Sequence, residues 1–232
     1  YSLPVLDIDW TDLSLDPTGL RIGLVLDIGD GAPVDPQVAQ IVRQAADVFA
    51  EAGATIVPLE PYLEPGVVDL IDMFWRIGHW NDYQAMDPGR RDLLLPFIAE
   101  WCRGGQHVSG TDAVRSADAQ LTVARATLAA TRDVDLVLSP VSPGAAFPAE
   151  WPMPSNDVND PMSHIAFCVA YNMSGQPALT VNAGFTDEGS PVGVQIAAQR
   201  YDDRLALAAG AFFEHARPTT AVRPWPRAWA SA

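Results

Sequence analysis

Residues 20–59 read LRIGLVLDIGDGAPVDPQVAQIVRQAADVFAEAGATIVPL, and this stretch decides the fold. The apolar, partly β-branched run 20–26 predicts a short strand, and 54–59 (ATIVPL) predicts a second. Between them Val38, Ile41, Val42, Ala45, Val48 and Phe49 recur at helical spacing. Asp35 stands as N-cap before Pro36 in the first turn, and Gly53 stops the helix. Strand, helix and strand make a βαβ unit, whose strands are expected to lie parallel with a right-handed crossover. An α/β fold follows.

Outward from this unit, residues 64–83, 92–103 and 111–132 read as helices, studded with Trp75, Trp80, Phe97 and Trp101. Residues 135–138 form a brief buried strand. A loop from 139 to 160 follows, in which Pro140, Pro143, Pro148, Pro152 and Pro154 forbid regular structure. Asp160-Pro161 is expected to cap a helix running to about residue 172. Strands 178–183 and 192–198 are joined through the Asp187-Glu188-Gly189-Ser190 turn, and Asp202 opens a last helix to about residue 215. The expected organisation is a linker over 1–18, one domain over 19–217, and a Pro/Trp-rich tail over 218–232.

The chain has 232 residues, 48% of them hydrophobic, so roughly 70 to 75% of its unfolded surface can be buried on folding. Its 14 basic residues are all arginine, set against 29 acids, and the net charge of −15 disfavours nucleic acid and anionic lipid as partners. No apolar run approaches the roughly 20 residues that span a bilayer, and the acidic start lacks signal-peptide character, so a cytoplasmic location is expected. Cys102 and Cys168 have no Cys-x-x-Cys spacing and read as free, buried thiols.

Several candidate sites dissolve on inspection. His79, His107, His164 and His215 lack metal-ligand spacing, so no metal site is expected, and no cofactor is implied. Asp27 and Asp30 flank Gly29 and Gly31 where a dinucleotide loop would lie. The G-x-G-x-x-G spacing is missing, and carboxylates oppose a pyrophosphate there. These acids are read as solvated loop residues. Ser109-Gly110 and Ser174-Gly175 lack the G-x-S-x-G elbow and a nearby base.

What remains is a constellation in the last hundred residues: 135–143 (DLVLSPVSP), 167–178 (FCVAYNMSGQPA) and 191–195 (PVGVQ). In order and spacing these resemble the D-x-[LIV]-[LIV]-x-P-T-x-P, F-T-x-x-x-N-x-x-G-x-P-A and P-x-G-x-Q stretches of the amidase-signature family. The βαβ unit resembles the segment that follows the signature region there. The resemblance covers about residues 19–215 and implies a mixed β-sheet flanked by helices. It also implies hydrolysis of a small-molecule carboxamide through a serine acyl-enzyme, using two serines and a lysine in a Gly/Ser-rich amino-terminal region.

This sequence has no lysine and no Gly-Gly-Ser-Ser-Gly-type run. The chain is therefore expected to be the carboxy-terminal, substrate-pocket half of an amidase, inactive alone, with no catalytic residue of its own. Self-association or pairing with the amino-terminal half is expected. Its candidate wall residues are Ser139, Pro140 and Val141 at the strand end, and His164, Phe167, Cys168 and Asn172 on the following helix. Ile165 occupies the position where the tRNA-dependent glutamine amidotransferase branch carries an Asp, which disfavours glutamine as substrate. Val141, Cys168 and Asn182 replace the family's Thr, Thr and Pro. A non-catalytic binding or accessory protein on the same scaffold is the alternative, and an unrelated α/β binding module is a further one.

Overall fold

The computed structural model describes residues 7–218. Strand β1 (Arg21–Leu24) leads to helix α1 (Pro36–Glu51) and strand β2 (Thr55–Pro58). Asp35 caps α1 as the sequence predicts, its Oδ1 accepting from Gln37 N at 2.7 Å and Val38 N at 3.4 Å. Four helices follow: α2 (Val67–Ala85), the single turn α3 (Pro88–Arg91), α4 (Pro96–Arg103) and α5 (Gly110–Thr131). Strand β3 (Leu136–Pro140) then leads through the proline-rich loop to α6 (Ala166–Ser174), the hairpin of β4 (Ala178–Phe185) and β5 (Pro191–Ala198), and α7 (Asp203–Ala216).

The five strands form one mixed sheet in the order β2-β1-β3-β5-β4. β1 pairs in parallel with both β2 and β3, whereas β5 runs antiparallel to β3 and β4. The predicted parallel pair and its shared sheet with the carboxy-terminal strands are thus present. Alternation along the strands divides two cores. Ile22, Leu136, Leu138, Val194 and Ile196 face α1 and α7, with Phe49 and Phe213. Val137 and Ala197 face the other side, where α5 and α6 pack and α2 packs on α5.

Two local readings need correction. The helix expected to start at Asp160-Pro161 begins at Ala166, behind a 3₁₀ turn over Ser163–Ile165, and it continues past Asn172 to a left-handed Gly175. Asp30 is not merely a solvated loop acid. Its two carboxylate oxygens accept from Gly66 N at 3.1 Å and Val68 N at 2.8 Å, so it caps α2 from another part of the chain. Residues 7–18 make local Asp-side-chain turns at Asp9, Asp12 and Asp16. The tail expected over 218–232 lies outside the described residues apart from Pro218.

Candidate functional site

After β1 the chain turns to α1 on one face of the sheet, and after β3 it turns to α6 on the other. Such divergence opens a crevice beyond the carboxyl ends of the strands. Three adjoining hollows occupy that rim. The first, about 460 Å³, lies among residues 26–34, Ala39, Arg43 and Phe167. The second, about 580 Å³, shares Ala32, Pro33 and Val34 with it and reaches Ser142, Pro143, Pro154, Ser163 and His164. The third, about 250 Å³, shares Ser142, Gly144 and Ala145 with the second and ends at Val141 and at Pro191–Gly193 of β5. Together they trace one groove across three strand ends.

The groove keeps its shape because its loops are stitched to one another. Ala32 N donates to Ser163 O at 2.8 Å, and Asp35 N donates to Pro143 O at 2.8 Å. Gly31 makes the first contact possible. Its φ is +88°, and a Cβ there would stand 2.5 Å from Ser163 O.

The sequence-predicted wall residues divide into three groups. Ser139, Pro140, Val141, Phe167 and Cys168 converge where β3 ends beside α6. Buried Gln195 of β5 donates through Nε2 to Ser139 Oγ and to the Phe167 carbonyl, both at 3.1 Å. Ser139 Oγ donates in turn to Pro140 O at 3.0 Å, and the Cys168 thiol donates to Val141 O at 3.1 Å. Of these, Val141 lines the third hollow and Phe167 the first, while Ser139 and Pro140 are buried beneath the rim. His164 stands in the second hollow. Asn172 is apart from the rest: it is exposed, one turn beyond Cys168 on α6, and lines none of the three hollows.

Electrostatics favour neutral groups here. Burial pushes the His164 imidazole below its usual range, against the opposing pull of the Pro161 backbone and the Asp160 carboxylate. Burial likewise raises the Cys168 thiol, so it is no activated nucleophile. Deeper in, burial holds Tyr62 up to about 12 and Tyr171 well above its usual value. The two phenols feel each other, with Thr127 beside Tyr62 and Ser139 beside Tyr171, yet neither hydroxyl reaches a partner in hydrogen-bond geometry.

Two contributors escaped sequence reasoning. Gln195 lies in a recognised motif, but nothing in its sequence context says that it bridges two other segments. The 32–34 segment carries no chemically distinctive side chain and lines the groove through fold alone. Among the described residues, no three His, Cys, Asp or Glu side chains gather as a metal-binding set, and no helix is long and apolar enough to cross a membrane.

Comparison with known proteins agrees with this architecture. An acylamidase of Rhodococcus erythropolis is 31% identical over 215 residues, covering 90% of this chain and 44% of its own length. A glutamyl-tRNA(Gln) amidotransferase subunit of Prochlorococcus marinus is 27% identical over 239 residues, covering 91% and 48%. Among solved structures, a bacterial aryl acylamidase of the amidase-signature enzymes superposes with a TM-score of 0.78 at 25% identity, over 94% of this chain and 49% of that one. A 6-aminohexanoate cyclic dimer hydrolase complexed with substrate shares the fold, with a TM-score of 0.79 at 21% identity over 97% and 51%. This chain thus spans about half the length of the curated relatives it matches. The family model for amidases fits residues 9–207, from before β1 into α7, and on that match this chain belongs to the amidase family.

Proposed function

We propose that this chain forms the substrate-pocket half of an amidase that hydrolyses acyl amides through a serine acyl-enzyme. The observation that carries the reading is a sequence that matches the family over residues 9–207 and yet holds no lysine. The family resemblance assigns general-base work to a lysine amine, which arginine cannot perform because it does not deprotonate in proteins. Nucleophile, base and oxyanion donors would then come from outside these 232 residues. The groove along the strand ends would supply one wall of the pocket, with Val141, His164 and Phe167 lining it, Gln195 tying Ser139 to Phe167, and Pro140 and Cys168 behind them.

The substrate class we favour is an uncharged acyl amide such as an anilide, in keeping with the acylamidase relatives. A neutral His164 and the apolar Ile165 both fit a ligand without an α-ammonium. The free thiols and acidic surface suit a cytoplasmic setting without nucleic-acid or membrane partners. The outermost strands β2 and β4 each leave one edge without a strand partner among the described residues, a geometry that favours association with the complementary half or with a second copy.

Incubating the purified chain with acetanilide tests the reading directly. No aniline should appear above background, because pocket walls alone cannot stabilise the acyl-transfer transition state. Turnover that disappears on substitution of any residue in this chain would overturn it. Light scattering checks the association, and a clean monomer at micromolar concentration would count against that part.

A further inference from the structure

Residues 146–160 bend into a stretch hydrogen-bonded almost wholly to itself, with Met153 and Val158 packed against the core beneath it. Ser155 Oγ donates to Asp160 O at 2.5 Å, Asp157 Oδ1 accepts from Asn159 N at 2.9 Å, and Asn156 takes a left-handed φ of 49°. Pro154, Ser155 and Asp160 of this stretch form the outer wall of the His164 hollow. Among the described residues, one hydrogen bond joins 146–160 to the rest of the molecule: an Nη of Arg76 donates to Val158 O at 2.6 Å.

Arg76 is itself held hard. Its Nε donates to Asp72 Oδ2 at 2.6 Å, and Asp72 Oδ1 accepts from Trp101 Nε1 of α4 at 2.8 Å. The guanidinium lies over the Trp101 ring, 5.9 Å from its centroid. A Cβ on Gly105 would stand 2.2 Å from Arg76 O, and one on Gly104 would stand 2.5 Å from Arg76 Nη1, so the glycine pair after α4 leaves room for this packing. With side chains only 17% and 12% exposed, the Arg76–Asp72 pair loses much of its attraction to desolvation and adds little net stability. What it does supply is a fixed guanidinium whose Nη2 donates to Val158 O.

We propose that Arg76 is a positioning residue, a latch that holds the 153–160 segment against the groove and so sets the width of the His164 hollow. That this hollow takes an amide rests on the functional reading above; the latch does not. The planar fork suits the task, since it serves Asp72 and Val158 O at once and in fixed directions.

The test compares the unaltered chain with the double variant Asp72→Asn/Arg76→Met, which leaves no unpaired charge and keeps an acceptor for Trp101. Amide hydrogen exchange over 155–160 should quicken about tenfold or more, while β1, β3 and β5 keep their protection. Acetanilide binding, followed by the His164 imidazole resonances, should weaken about tenfold as the wall opens. Unchanged exchange at 155–160, acceleration spread evenly through the sheet, or unchanged affinity in a variant with a released loop would overturn the latch. Should the double variant not fold, Arg76→Lys carries the test: exchange at 155–160 should quicken about threefold or more over the unaltered chain with the strands unchanged, and equal exchange would overturn the latch. If the unaltered chain binds no acetanilide, the substrate reading falls, and the exchange result still decides the latch.

Discussion

On one face of the sheet, Phe49 of α1 packs against Phe212 and Phe213 of α7, at centroid distances of 5.2 and 6.0 Å, above Ile22, Leu136, Leu138, Val194 and Ile196. On the other face the same strands present Ser139 and Gln195 to α6. Gln176 there bonds Thr131 Oγ1 at 3.3 Å and Ala198 O at 3.0 Å, while two phenols lie buried close by. The first face is held mainly by apolar area, with Gln37 and Arg217 bonding to the β4–β5 hairpin at its margins, and apolar area tolerates sliding of one surface on another. The second is held by directional bonds, which fix α6 and the end of β3 in one relative position. Elements of both faces meet in the groove, α1 through Ala39 and Arg43 and α6 through Phe167.

Substitutions can break the contrast. Phe49→Ala should show the largest effect, a loss of about 3–5 kcal/mol of folding free energy from transfer and cavity terms together, measured by urea titration. Gln195→Leu on the other face should cost about 1–3 kcal/mol, because the Phe167 carbonyl is left buried without its donor. It should also shift the amide resonances of Ser139, Val141 and residues 166–168, which Phe49→Ala should leave in place. Equal shifts from both variants would show that the faces are not independent.

Smaller effects sharpen the picture. Tyr171→Phe removes a hydroxyl that has no partner in hydrogen-bond geometry, so its stability should stay within about 1 kcal/mol of the parent or rise. Tyr62 gives a pH signature. The fold keeps this phenol neutral to about pH 12, whereas an unfolded tyrosine ionises near 10. Its contribution is therefore complete below pH 10 and is lost as pH rises toward 12, so Tyr62→Phe should flatten the alkaline fall in stability. His164 works in the opposite direction. With its folded value lowered, its contribution is full above the ordinary histidine range and lost as pH falls below it. His164→Gln should flatten the acid limb there, an effect softened by partial exposure.

The parts legible in sequence are those whose signals are local. Asp35, Pro36 and the 3.6-residue spacing specify α1 without outside help, and the apolar stretches 135–138 and 192–198 mark two strands whose mutual pairing only the structure gives. The start of α6 escaped because Ser163 O is claimed by Ala32 N from a loop 131 residues earlier, which favours a 3₁₀ turn where Asp160-Pro161 could have begun a helix. Asp30 escaped for the same reason, since the helix it caps begins 36 residues downstream. Within the site, the family motifs point to the end of β3 and to α6 but give no rank among their residues. Gln195 organises it, and Asn172 stands outside the hollows.

The interior position of β1, between β2 and β3, has a temporal consequence. Arg21 N donates to the side chain of Asp135, 114 residues away, and β1 finds its second neighbour only in β3. At typical synthesis rates of about 5–20 residues per second, the ribosome releases β1 roughly 6–23 s before β3 emerges. Throughout that interval a finished strand–helix–strand unit would wait with one ladder of β1 unpaired, and the whole helical middle must pass before the ladder closes. A nascent chain of this design keeps an open strand edge exposed for longer than its final shape suggests.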